Sequence, residues 1–181
     1  PLTFNMGDYY HSIAHNGNLV NIEDIRVDLQ KEGALFQTST DTEIIIHLIA
    51  REKGNNLAEK VEGALNKIEG AFSLLLLSPN EIIAARDPHG IRPFCMGKLK
   101  DTVVFASETC ALDLLGAEYL RDVQPGEMIV ASDDGFNSQT IITPHQSKHC
   151  IFEYVYFSRP DSKIFGKSVD KIRRQFGRKL A

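Results

Sequence analysis

AFSLLLL (Ala71–Leu77), SPN (Ser78–Asn80) and EIIAA (Glu81–Ala85) run consecutively through the middle of the chain. The first and last pieces are apolar without alternation and too short for a buried helix. Pro79 and Asn80 are turn formers between them. This pattern predicts a hairpin of two strands, each covered on both faces rather than on one. A strand buried on both faces needs a layer above and a layer below, so the rest of the chain must supply both.

Upstream of the hairpin the period is helical. Asn21 opens a helix with Ile22, Ile25 and Leu29 on one face, ending at Gly33. Thr40-Asp41-Thr42-Glu43 has the capping-box pattern, followed by Ile44, Ile45, Leu48 and Ile49 and closed by Gly54. A third helix runs from Asn56, with Leu57, Val61, Leu65 and Ile68 in a stripe, to Gly70. Before these helices the pattern predicts a short strand, Tyr9 to Ala14, and a turn at His15-Asn16-Gly17-Asn18, because Asn-Gly suits a hairpin whose central residues need positive φ.

Downstream, strands are expected at Thr102–Ala106, Met128–Ala131, Gln139–Ile142 and Ile151–Phe157, with a short helix at Thr109–Leu115. The chain closes on an amphipathic helix with Val169, Ile172, Phe176 and Leu180 inward and Lys167, Lys171, Arg174 and Arg178 outward. Helices gathered early and strands later favour an α+β fold with layered sheets over a βαβ array.

Composition narrows the classes further. The 181 residues are 43% hydrophobic and 24% charged, with three cysteines and no tryptophan, as expected of one globular domain. No apolar run is long enough to span a bilayer, and no CxxC pair signals a disulfide framework or zinc knuckle. These features set the expectation of an intracellular, cytoplasmic protein with no membrane partner. The net charge of −4 is uneven, since Arg159 to Ala181 carries eight Lys/Arg against two Asp/Glu. With few aromatics among those bases, a neighbouring domain fits the basic end better than nucleic acid does.

Several residues are candidates for chemistry. Asn16 and Gly17 pair a carboxamide with a glycine amide, two donors able to face a developing oxyanion. Asp41, at a helix start, is either a cap or a carboxylate held for a substrate ammonium group. Arg86-Asp87-Pro88-His89-Gly90-Ile91-Arg92-Pro93 is either a rigid connection or part of a site. His145, His149 and Cys150 are spaced as metal ligands but follow Pro144, without a fourth ligand nearby. An internal cysteine acting as a nucleophile with His15 or His89 is a competing enzymatic reading. Phosphate-loop, zincin and serine-hydrolase motifs are not present in the sequence.

Taken in order, HNGNLVN (His15–Asn21), STDTE (Ser39–Glu43), GAFS (Gly70–Ser73), RDPHGIRP (Arg86–Pro93), ASETCALD (Ala106–Asp113), VQPGE (Val123–Glu127) and FEYVYFSRPDS (Phe152–Ser162) resemble one family across nearly the whole chain. That family is glutamine phosphoribosylpyrophosphate amidotransferase, also called amidophosphoribosyltransferase. The first two motifs are similar to those of other N-terminal-nucleophile glutamine amidotransferases; the last points to this member.

The resemblance implies an N-terminal-nucleophile hydrolase fold, α+β, of stacked antiparallel sheets between helical layers. It divides the chain into a glutaminase segment, 1–166, and a junction helix, 167–181, leading toward a phosphoribosyltransferase domain. The implied parent makes 5-phosphoribosylamine from glutamine and phosphoribosyl diphosphate in the first step of purine synthesis, and is a homo-oligomer. By motif match Asn16 and Gly17 form the oxyanion hole and Asp41 binds the glutamine α-amino group. The family's nucleophile is an N-terminal cysteine whose own amine is the base, whereas this sequence begins at Pro1. The chain alone is therefore expected to be inactive, and a catalytically silent binding fragment is the alternative. Cys150 matches a position that ligates an iron–sulfur cluster in some members. Magnesium is expected only in the transferase domain.

Overall fold

The computed structural model describes residues 1–181. Its centre is an antiparallel sheet of six strands in the order β1-β2-β3-β4-β8-β9. These are β1 (Leu2–Met6), β2 (Tyr9–Leu19), β3 (Gly70–Leu77), β4 (Glu81–Arg86), β8 (Glu127–Ser132) and β9 (Gly135–Thr140). A second sheet in the order β6-β5-β7 is made of β5 (Cys95–Leu99), β6 (Thr102–Ala106) and β7 (Glu118–Asp122).

Strands β3 and β4 form the expected hairpin, Leu74 opposite Ala85 and Leu76 opposite Ile83. Their two faces have different cover. Leu74, Leu76, Ile83 and Ala85 belong to one core with Leu29 of α1 (Ile22–Lys31), Ile44, Ile45 and Ile49 of α2 (Asp41–Arg51) and Val61 and Leu65 of α3 (Leu57–Leu65). Ala84 faces the other way, into Phe94, Met96, Val123 and Ile129 between the sheets. The far side of the small sheet is closed by α4 (Thr109–Leu115), whose Leu112 meets Cys95 and Ala117. The order is thus helices, sheet, sheet, helix, which is the stacked arrangement expected.

Three local expectations are corrected. His15-Asn16-Gly17-Asn18 is not a turn: β2 runs straight through it, with Asn16 opposite Ser73 and Gly17 opposite Phe72. Pairing with the full length of β3 outweighs the local turn preference, and the actual turn lies at Gly7, φ +67°, between β1 and β2. Ile151–Phe157 is not a strand but leads into a π-helical turn, Glu153–Phe157. There Glu153 and Tyr154 are buried and Val155, Tyr156 and Phe157 exposed, a packing that an alternating apolar reading could not anticipate. The capping box of α2 does not close, because Glu43 instead accepts the amides of Gln37 and Thr38 at 2.7 and 2.8 Å and the Thr38 hydroxyl at 2.7 Å. Burial would raise its carboxyl pKa, but these hydrogen bonds outweigh it and hold the value below the ordinary range.

The closing helix α5 (Val169–Leu180) starts from Ser168, whose hydroxyl accepts the Lys171 amide. Val169, with Ile172 and Phe176, packs on Tyr154, Ile164 and Phe165, while Leu180 remains 89% exposed. Strands β10 (Lys163–Ile164) and β11 (Lys167–Ser168) make the hairpin that leads into it.

Candidate functional site

Strand β2 is longer than the neighbour on its outer side. β1 pairs with it only as far as Ile13, whereas β3 follows it to Leu19. From His15 to Leu19 β2 is held on one side by β3, and the other side continues the edge that β1 occupies from Tyr9 to Ile13. The Val20 amide donates to Glu69 O on the β3 side. Amides alternate sides along an antiparallel strand, so those of Asn16 and Asn18 turn toward β3 and those of His15, Gly17 and Leu19 turn to the edge away from it.

Two of those edge amides carry the site. The Leu19 amide donates to Asp41 Oδ2 at 3.2 Å. The Gly17 amide, next but one along, points to the same edge. Only glycine fits at 17, since a Cβ there would lie 1.9 Å from Ala71 O and 2.7 Å from His15 Nε2. Asp41 is the first residue of α2 and does not cap its own helix; its carboxylate reaches across to β2. Between them the His15 ring is almost wholly buried, its Nδ1 3.4 Å from Asp41 Oδ1 and its Nε2 3.4 Å from Ala71 O. Strand, helix start and imidazole are thus tied together.

The Asn16 side chain points to the opposite face of β2 from His15, toward the small sheet. Its Nδ2 lies 3.5 Å from Ser107 Oγ, at the long limit of hydrogen bonding. It borders a polar cleft of about 310 Å³ shared with Arg92, Ser107, Glu108 and Glu153. On its inner side is a smaller cavity of about 140 Å³ that Asn16 shares with Ser73, Phe94 and Ser107. Ser107 and Glu153 at the cleft and Ser73 at the cavity lie inside the quoted motifs, but the sequence reading assigned them no role.

The charged loop from Arg86 to Pro93 is a scaffold beneath this cleft. The Arg86 guanidinium, 3% exposed, donates to the carbonyls of Val123, Gly90 and Arg92. Burial lowers its pKa against the pull of nearby Asp122 and Asp87. Asp87 accepts the amides of His89, Ile91 and Phe72, and burial nonetheless raises its carboxyl pKa. Arg92 extends outward to Glu153 at 2.9 Å, and Glu153 also accepts the Ser158 hydroxyl.

The spaced His145, His149 and Cys150 do not converge. His149 stacks on Phe165 with centroids 3.9 Å apart, His145 faces His89 at 5.0 Å, and Cys150 Sγ is 4.0 Å from Arg92 Nη1. No group of three or more His, Cys, Asp or Glu side chains is arranged to hold a metal ion. Cys95 and Cys110 are buried elsewhere, so the residues of this chain do not by themselves fit an iron–sulfur cluster at Cys150. The internal-thiol reading also lacks its pair: Cys95 donates to Ala106 O, Cys110 meets Glu108, and none meets a histidine. Burial pushes the Cys95 thiol up to about 12. No helix is long and apolar enough to cross a membrane.

A family model described as a glutamine amidotransferase domain matches residues 1–114. The chain belongs to the glutamine amidotransferase family. Among curated relatives of this amidotransferase domain, amidophosphoribosyltransferase 2, chloroplastic, of Arabidopsis thaliana is 47% identical over 93% of the chain and 30% of its own length. The amidophosphoribosyltransferase of Bacillus subtilis is 44% identical over 94% of the chain and 36% of its own length. The domain superposes with a TM-score of 0.94 and 42% identity on glutamine phosphoribosylpyrophosphate amidotransferase from B. subtilis complexed with ADP and GMP. That match covers 98% of this chain and 39% of that one. A class-II glutamine aminotransferase domain protein from Silicibacter pomeroyi, 16% identical with a TM-score of 0.51, shares the fold. The amidotransferase chain thus spans about a third of the length of the curated relatives it matches, and it is homologous to the glutaminase domain of amidophosphoribosyltransferase.

Proposed function

We propose that these 181 residues serve as the glutamine-hydrolysing part of an amidophosphoribosyltransferase, releasing ammonia that is used with phosphoribosyl diphosphate to form 5-phosphoribosylamine. The observation that carries this reading is the edge of β2 away from β3, to which the Gly17 amide points in line with the Leu19 amide that Asp41 holds. Hydrolysis of a carboxamide passes through a tetrahedral oxyanion, and fixed donors aimed at it act most strongly where charge develops. In this reading Gly17 N–H and Asn16 Nδ2 receive the oxyanion. Asp41 Oδ1, the oxygen not taken by Leu19, receives the glutamine ammonium group.

The nucleophile in this reading is none of Cys95, Cys110 or Cys150, two of them buried and all of them without a histidine base. An N-terminal cysteine, as the family resemblance implies, would have to approach the Gly17 side of β2. Residues 167–181 would form the junction with a phosphoribosyltransferase domain, consistent with the basic outer face of α5 and the exposed Leu180. Any magnesium belongs to that domain's diphosphate chemistry.

The test is Asn16→Ala in an amidophosphoribosyltransferase carrying these residues. Glutamine-dependent turnover should fall by the equivalent of about 2.7–4 kcal/mol, with little change in the glutamine KM. Turnover on free ammonia should be unaffected, since it bypasses amide hydrolysis. A raised KM at unchanged kcat would make Asn16 a ground-state contact and overturn its assigned role.

A further inference from the structure

Ser73 presents a problem that its strand does not solve. It lies in the middle of β3, 5% exposed, and its hydroxyl has no hydrogen-bond partner in the protein. A buried hydroxyl without a partner is destabilising, and such groups in folded proteins commonly turn out to bind water. The flanking residues of the strand are apolar, so an alanine would have packed there without that cost.

The surroundings indicate what the hydroxyl meets. Ser73 is directly across the ladder from Asn16, so the two side chains share a face of the sheet. Both line the 140 Å³ cavity between the sheets, together with Ser107. A water molecule needs about 30 Å³ and two to four polar partners, and the cavity offers both. Ser107 also borders the outer cleft and lies against Asn16 Nδ2. The Asn16 carboxamide therefore borders both the small cavity, where Ser73 and Ser107 are the other hydroxyl-bearing residues, and the outer cleft.

We infer that the cavity between Asn16, Ser73 and Ser107 is an ordered-water site that sets the orientation of the Asn16 carboxamide, which makes Ser73 a positioning residue for the oxyanion donor. The Ser73 hydroxyl donates to the water, and the water donates to Asn16 Oδ1. With its oxygen held inward, the carboxamide turns its nitrogen toward Ser107 and the cleft, where one N–H is free for substrate. Without the water the carboxamide can flip and offer an acceptor to the oxyanion, which repels it. This inference rests on the oxyanion role proposed for Asn16.

Ser73→Ala and Asn16→Ala, compared in the same amidophosphoribosyltransferase, test it. Ser73→Ala should lower glutamine-dependent kcat about tenfold, the effect of one lost positioning hydrogen bond, with the glutamine KM unchanged. Ser73→Thr, which restores a hydroxyl, should recover most of the loss. A high-resolution crystal structure should show water within hydrogen-bonding reach of Ser73 Oγ, absent in Ser73→Ala. If Asn16→Ala lowers kcat but Ser73→Ala does not, or if the cavity is dry, the water site is overturned and the role of Asn16 stands. If Asn16→Ala itself leaves kcat unchanged, the underlying reading fails. A lower melting temperature for Ser73→Ala with unchanged kcat would make Ser73 purely structural and also overturn the inference.

Discussion

Asp41 Oδ2 accepts the backbone amide of Leu19 at 3.2 Å, so the first residue of α2 satisfies a strand rather than its own helix. One oxygen of the carboxylate is fixed to the edge of β2, and the other lies 3.4 Å from His15 Nδ1. Structural anchor and candidate ligand for an ammonium group are therefore the same side chain.

Variants at Asp41 separate these duties. In an amidophosphoribosyltransferase carrying these residues, Asp41→Asn keeps an acceptor for Leu19 but loses the charge, so it should leave stability within about 1 kcal/mol while raising the glutamine KM about 10- to 100-fold. Asp41→Ala should add a fall in stability of about 1 kcal/mol as the Leu19 amide loses its partner. Melting curves beside glutamine kinetics check both; an Asp41→Asn protein that melts earlier but keeps its KM would leave Asp41 an anchor alone.

Gly17→Ala should be among the more damaging single changes in β2. The added Cβ meets backbone at Ala71 O, which cannot yield as a flexible side chain would. We expect at least the 1–3 kcal/mol typical of overpacking, read from urea unfolding, with displacement of the amide edge. Wild-type stability in this variant would mean that β2 and β3 are less closely apposed at this point.

Acid should unfold the domain partly through Glu127. Burial would raise its carboxyl pKa, but the Arg121 pair, the Ser138 hydroxyl and the Gln124 amide outweigh burial and hold it below the ordinary value. A folded-state pKa below the unfolded one gives stability that is fully present above the unfolded carboxylate range. It is lost as pH falls through the folded value. Glu127→Gln should lower stability at pH 7 by about 1–3 kcal/mol and flatten the loss below about pH 4.5. Denaturant midpoints across pH 3–7 measure this, and an unchanged acid slope would remove Glu127 as a contributor.

Thiol labelling should follow exposure and charge. Cys150 is partly exposed, Cys95 and Cys110 are buried, and Cys95 is pushed up to about 12, which leaves almost no thiolate at pH 8. Mass spectrometry after brief alkylation of the native chain should find Cys150 modified first. Equal labelling of Cys95 would mean that the small sheet and α4 open readily.

Much of the architecture was legible in the chain order of residues. The apolar pieces at Ala71–Leu77 and Glu81–Ala85 required cover on two faces, and the stripes of α1, α2 and α3 supplied one layer. Such patterns are local, so periodicity reveals them. Strands β1, β5 and β7 escaped, being short and mixed in polarity, and stable only through partners distant in sequence. Motif resemblance marked Asn16, Gly17 and Asp41, but not their arrangement. The Asn-Gly pair reads locally as a turn, and only β3 alongside makes it a strand whose other edge faces away from β3. Which amides face that edge depends on ladder parity, and Ser73 and Ser107 meet Asn16 only because two sheets stack. The sequence by itself determined which segments must be buried, since hydrophobic burial is carried by each residue. Which way each donor points was settled only by folding, since the direction of a backbone N–H is set by the strand it pairs with.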